Sequence, residues 1–280
     1  MTPYLSRRSI IALIPAIALP FEIRSEARAE SNAFDALLQK LQSDPALSIN
    51  VIGHDELGET LVAGLETAPL RAPKSSTPIS NRAIELIVAS EVSSHSTYEK
   101  KYQAPTWPTG QSGVTIGIGY DVGYVKPKEL EMDWVNYISA DQIRALQQAC
   151  GEKGAAARDL LSTIPSVQIS WDTANAQFRK EMIPRYVGLV EKSLENTPLL
   201  KADCLGALVS LVYNRGASFN LKGDRFLEMR QISDAMEAKQ FSEIPEYIRS
   251  MKRLWGANLS GLWIRRDAEA DLFESGLAKG

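Results

Sequence analysis

The sequence predicts an α+β domain, mostly α, in which a small β-hairpin is set into a helical body. Two observations carry this. Between Gly113 and Gly123, Val114, Ile116, Ile118 and Tyr120 alternate with Thr115, Gly117, Gly119 and Asp121, the period of a strand with one apolar face. Beyond that stretch, apolar residues recur at spacings of three and four to the end of the chain, as in packed helices. At 280 residues the chain is long enough to bury a sizeable core, and it contains no internal repeat or low-complexity tract.

In chain order, residues 1–29 have the three parts of an export signal. Arg7 and Arg8 precede an apolar run from Ile10 to Phe21, and Ala27-Arg28-Ala29 offers a small-x-small cleavage site. The run is too short, and too broken by Pro15 and Pro20, to span a bilayer. Ser6-Arg7-Arg8-Ser9-Ile10-Ile11 also resembles the twin-arginine export motif. The expected product is periplasmic or secreted, with no stable membrane anchor after cleavage. Phe34, Leu37, Leu38 and Leu41 then fall at helical spacing. Over 46–66 the signal is mixed: Leu47, Ile49 and Val51 alternate like a strand, and Leu57, Leu61 and Leu65 recur like a helix. Residues 68–80 hold three prolines among serines and threonines and read as a linker. Residues 30–77 are therefore expected to be an accessory element with its linker, and 78–280 the main domain.

Ser80 is a good N-cap for the helix that opens this domain. Ile84, Ile87, Val88 and Glu91 share one stripe of it, so Glu91 continues the apolar face. A carboxylate there either snorkels at the core edge or is desolvated and holds its proton. Ser93 to Gly113 is polar and rich in turn residues, with Tyr98, Tyr102 and Trp107 interleaved; such aromatics suit a platform for sugar rings, though packing under a loop is the commoner use of them. If the chain reverses near Ile118, Thr115 and Asp121 come opposite each other above a floor of nearly bare backbone. Helices are then expected from Ser139, across 155–161, from Asp172 with Pro184 bending or ending it, over 203–214 as a central buried helix, and over 226–276 as two or three more.

Composition narrows the chemistry. Residues 1–29 hold four of the 31 basic and two of the 34 acidic residues, so the remainder carries a net charge of −5. That balance argues against a nucleic-acid partner. His54 and His95 are the only histidines, and Cys150 and Cys204 the only cysteines, without C-x-x-C spacing. A metal site or a histidine-assisted nucleophile has little to use, so neither metal nor cofactor is expected. The two cysteines fit one disulfide or two buried thiols equally well. Two carboxylates on opposing elements remain, Glu91 and Asp121. They point to general acid and base catalysis on a glycosidic bond, with Glu91 as acid, Asp121 as base and the Thr115 hydroxyl holding the attacking water.

Glu91, then Gly113-Val-Thr-Ile-Gly-Ile-Gly119, then Ala207-Leu-Val-Ser-Leu-Val-Tyr-Asn-Arg-Gly216, is similar in order to the phage-type lysozymes of glycoside hydrolase family 24. The tail from Trp255 through Leu262-Trp-Ile-Arg-Arg266 to Glu269 and Leu272 resembles that family's closing helix pair. The likeness is closest to the muramidase domain of pesticin-like bacteriocins, in which the second acid follows the Gly-rich strand, and it covers roughly Pro78–Gly276. It implies a lysozyme-like fold, with a hairpin lobe and a helical lobe flanking a cleft. It further implies a monomer that hydrolyses peptidoglycan at the β-1,4 bond between N-acetylmuramic acid and N-acetylglucosamine, with inversion. By position, Glu91, Thr115 and Asp121 take the catalytic roles, and Tyr120 and Asn214 lie at the substrate. Two departures matter. Residues 106–113 contain no acid, so the ordinary phage assignment fails and Asp121 must serve; and Tyr120 stands where a histidine is usual. Two rivals stay open: a lysozyme-like protein that holds peptidoglycan without cutting it, and a chitin or chitosan hydrolase of the same fold. Gly117-Ile-Gly-Tyr-Asp-Val-Gly123 has the wrong spacing and setting for a dinucleotide fingerprint.

Overall fold

A computed structural model describes residues 33–52, 72–164 and 167–279. The expected export signal lies outside the described residues, as do Leu57, Leu61 and Leu65. The chain is mostly helical with one two-stranded antiparallel sheet, in agreement with the expected class.

Helix α1 (33–43) buries Phe34, Leu38 and Leu41, and the Arg82 guanidinium lies 4.2 Å above the Phe34 ring. Helix α2 (Pro45–Ile52) follows, where the alternation of Leu47, Ile49 and Val51 pointed to a strand. It packs on α3 (Asn81–Val92) and on the last helix, α13 (Ser260–Ala278). The buried Ser48 hydroxyl donates to the Ala89 carbonyl at 2.8 Å, and the Ser93 hydroxyl donates to Ser48 at 2.8 Å. Far from standing apart, α1 and α2 share the core of the main domain.

The proline-rich segment is likewise no free linker. The Ser75 amide donates to the Pro184 carbonyl at 2.9 Å, and the Pro73 carbonyl lies so close to Gly188 that any β-carbon there would collide with it. Residues 72–80 thus strap α9 (Ile183–Ser193) and lead to the Ser80 cap of α3, whose hydroxyl accepts from the Ala83 amide.

After α3 the polar stretch contains a helix that its composition concealed, α4 (His95–Lys101). Ser94 caps it by accepting from the Thr97 amide, and only Thr97 and Tyr98 are buried, so Tyr98 is the one large side chain that turns inward. Strands β1 (Thr115–Ile116) and β2 (Tyr120–Asp121) form the hairpin, and Thr106 bridges the outer side of Thr115. Short helices α5 (Pro127–Trp134), α6 (Ala140–Gln147) and α7 (Gly154–Leu160) complete this part of the chain.

Helix α8 (Trp171–Gln177) passes into a π-helical turn, Phe178–Met182, and then into α9. The Ile183 amide reaches back five residues to the Phe178 carbonyl. The wider turn accommodates Pro184, which lacks an N–H and would clash with a regular preceding turn. Pro184 therefore neither ends nor breaks the rod. Helix α10 (Ala202–Arg215) is the central one: every residue from Asp203 to Arg215 is buried, between α3, α9 and α13. Gly206 sets its approach to Ala83 of α3, and Gly276 of α13 lies against Cys204. Helices α11 (Leu227–Ala238) and α12 (Ile244–Ser250) close the fold against α13.

Both cysteines are free. Cys204 donates its thiol to the Phe273 carbonyl at 3.3 Å within the α10–α13 seam, and Cys150 sits beyond α6. Burial pushes the Cys150 thiol up to about 11 and the Cys204 thiol up to about 12.

Candidate functional site

The hairpin register pairs Thr115 with Asp121 and Ile116 with Tyr120. Directly paired residues of an antiparallel ladder project to the same face, so Thr115 and Asp121 stand side by side. The turn between them uses Gly117 (φ +57°) and Gly119 (φ +71°), left-handed positions that a side chain would strain. Val114, Ile116, Ile118 and Tyr120 are buried, and Thr115, Gly119 and Asp121 are half-buried. The bare face anticipated from the alternation is the more accessible one.

Glu91 reaches this hairpin from near the C-terminal end of α3, with its side chain 13% exposed. Gly119 is the contact: a β-carbon there would stand 3.0 Å from Glu91 Oε2 and 3.2 Å from the Tyr213 hydroxyl. Tyr213 of α10 donates to the Ile118 carbonyl at 2.7 Å, fastening the hairpin turn to the central helix. Tyr213 and Tyr186 of α9 are packed with ring centroids 4.3 Å apart. Burial raises both phenols well above their ordinary range, and the negative charge of Glu91 raises them further. Asp121 also acts on Tyr186, so the two carboxylates address a common buried phenol. Tyr102, beyond α4, is raised by burial and then by Glu91.

Glu91 is not a lone carboxyl on an apolar stripe. Its Oε1 accepts from the guanidinium of Arg265 at 2.9 Å, and Arg265 is fully buried. Arg265 also pairs with Glu269 at 3.2 Å and donates to the Ser210 carbonyl at 3.0 Å. Glu269 accepts in turn from Ser210 at 2.6 Å and from Arg266 at 2.9 Å. Two arginines and two glutamates thereby balance one another across α3, α10 and α13, and the fixed guanidinium leaves Oε2 as the oxygen directed at the hairpin. Arg265 was missed in the sequence because Arg265 and Glu269 at i, i+4 look the same as an exposed surface pair.

Asp121 accepts from the Gly123 amide through Oδ1 (2.8 Å) and from the Gly113 amide through Oδ2 (2.9 Å). It therefore staples the two ends of the glycine-rich stretch as well as facing Thr115. The remaining sequence candidates are placed differently. Tyr120 is buried, with its hydroxyl donated to Asp133 at 2.8 Å and its ring edge-on to Trp134 at 5.5 Å. Asn214 is buried on α10 and accepts from Arg266 at 3.2 Å. Each side chain is buried and has an internal partner.

No group of three or more His, Cys, Asp or Glu side chains among the described residues is arranged to hold a metal ion. No helix among them is long and apolar enough to cross a membrane. A family model described as a domain of unknown function, DUF8812, matches residues 93–186, from the turn after Glu91 through the hairpin to Tyr186 in α9. No curated protein matches the chain.

Proposed function

We propose that this protein is an exported peptidoglycan hydrolase, a muramidase that cleaves the β-1,4 bond between N-acetylmuramic acid and N-acetylglucosamine by inverting acid–base catalysis. The observation that carries this reading is the juxtaposition of Glu91 Oε2 with Gly119, in a hairpin whose other working groups, Thr115 and Asp121, are paired side by side. An acid on one side and a base with a hydroxyl on the other is the arrangement that inverting glycoside hydrolysis requires. In that reaction Glu91 protonates the leaving oxygen through Oε2, while Oε1 stays fixed by Arg265. Thr115 holds water at the opposite face of the sugar, and Asp121 takes its proton as the oxygen attacks C1. The buried tyrosines and the paired arginines keep the surroundings of Glu91 rigid, so reorganisation on reaching the transition state is small.

A second reading is favoured by the two backbone amides on Asp121, which suit a structural staple as well as a base. In that case the protein holds the glycan without cutting it. Digestion of purified sacculi by the wild type and by Glu91→Gln decides between them. The muramidase reading expects new reducing ends on muramic acid from the wild type only, identified by mass spectrometry, with the α anomer appearing first in NMR spectra. Absence of such ends, or equal release by Glu91→Gln, refutes it.

A further inference from the structure

His95, Tyr98 and Tyr102 fall at i, i+3 and i+7 on one side of α4 and its exit. Trp171, the first residue of α8, joins them. The His95 and Trp171 rings are stacked, with centroids 4.7 Å apart and planes 18° off parallel. Trp171 meets Tyr98 edge-on at 5.5 Å, and Tyr98 lies 6.5 Å from Tyr102. Four rings thus form a continuous row. Only Tyr98 is fully buried; Trp171 and Tyr102 are half-buried, and the His95 side chain is 54% exposed. Hydrogen bonds tie the row to the neighbouring backbone, and an exposed carboxylate pairs with its outer end. The Tyr98 hydroxyl donates to the Ile169 carbonyl at 3.0 Å, the Ile169 amide donates to the Gln103 carbonyl at 2.8 Å, and Glu99 holds His95 at 3.2 Å.

Core packing explains Tyr98 but not an imidazole stacked on a half-exposed indole at the surface. Flat rings with wet edges suit the apolar faces of pyranose sugars, and a rigid platform binds them without an ordering cost. The row leads toward the hairpin: Tyr102 lies four residues before Thr106, whose amide donates to the Thr115 carbonyl at 2.9 Å, and burial and then the Glu91 charge raise the Tyr102 phenol. Lys100 and Lys101 follow on the same helix, both exposed, and supply positive charge beside it for a glycan that bears carboxylates.

We propose that His95, Trp171 and Tyr102 form an outer subsite that binds the glycan strand beyond the scissile bond. This rests on the muramidase reading above. The test uses the full chain carrying Glu91→Gln, so that ligand survives, titrated with uncross-linked strands of alternating N-acetylglucosamine and N-acetylmuramic acid by calorimetry. Adding Trp171→Ala is expected to weaken binding about tenfold, and His95→Ala, at an exposed position, to weaken it by a smaller factor with the circular dichroism unchanged. In the active background both changes raise KM for long strands and leave kcat as it was. Unchanged affinity in both variants overturns the subsite. If Trp171→Ala does not fold, His95→Ala alone decides. Wild-type cleavage of sacculi with no effect of either variant removes the subsite and spares the muramidase reading; no cleavage together with no strand binding removes both.

Discussion

Gly119 shows how a single residue couples the hairpin to Glu91, the proposed acid. Its φ of +71° already disfavours a side chain by about 1 kcal/mol, and a methyl would press on Glu91 Oε2. Gly119→Ala is therefore expected to fold, melt a few degrees lower, and lose about tenfold or more in glycan cleavage, since misplacing an acid is costly. Wild-type activity in that variant would show that Glu91 does not work where it stands. Arg265 carries a larger structural burden. Arg265→Met leaves Glu91 and part of Glu269 buried without their cation, and urea unfolding should register a loss of about 3–5 kcal/mol. The cysteines supply a pH dependence. Their thiols titrate near 9.0 in the unfolded chain and near 11 and 12 in the folded one, so the native state binds more protons across that window. Stability is then full below about pH 9 and is lost as pH rises toward the folded values. Thermal melts between pH 8 and 11 should fall accordingly, and Cys150→Ser should flatten part of the fall. The placement of Glu91 on the inner stripe of α3 and the pairing of Thr115 with Asp121 were legible in the sequence, because each sits on a periodic element whose faces can be counted. Arg265 was not, since nothing in its spacing says that a charged residue on the last helix turns inward.

Among the elements, the helices with an apolar stripe or a clear N-terminal cap were legible, the short α6 and α7 included, and α4 was not. Helix α10 is nearly free of charge and could only be buried, whereas α4 has one inward tyrosine and reads as a loop. Pro184 suggested a break, but a π turn absorbs it, a solution that depends on the neighbouring backbone and leaves no trace in composition. The strap over 72–80 has linker composition because its partner is a helix backbone rather than a side-chain pocket. Its clearest mark lies elsewhere, in Gly188, where a β-carbon would meet the Pro73 carbonyl. Gly188→Ala raises helix propensity in α9 by up to about 1 kcal/mol, so propensity alone predicts a gain. The collision predicts the opposite: net destabilisation of about 1–3 kcal/mol, with faster amide exchange at Ser75 as the strap lifts. A variant that gained stability would mean that the strap is loose in solution.

Across the molecule, the proposed catalytic pair is held by parts far apart in sequence. Glu91 belongs to α3, its arginine to α13, the tyrosine that fastens the hairpin, Tyr213, to α10, and Tyr186, packed on it, to α9. Helices α1 and α2 cover the junction of α3 and α13 from outside, with Phe34 and Leu41 buried and Ser48 bonded to the Ala89 carbonyl two residues before Glu91. The composition of 30–77, with its prolines and its mixed periodicity, suggested an accessory piece; the contacts that tie its described residues, 33–52 and 72–77, to the main domain are long-range, and a one-dimensional pattern does not carry them. This gives a prediction opposite to the sequence boundary. If 30–77 were a separate accessory, a chain beginning at residue 72 would melt like the longer one. With α1 and α2 in the core, removing them exposes the apolar faces of α3 and α13 and frees the end of α3 that aims Glu91. That chain should melt at least ten degrees lower than one beginning at residue 30, or fail to fold. In the longer chain Phe34→Ala alone should cost about 3–5 kcal/mol in urea unfolding. If the shorter chain matches the longer in both melting temperature and release of reducing ends, α1 and α2 are dispensable and the boundary near residue 78 stands.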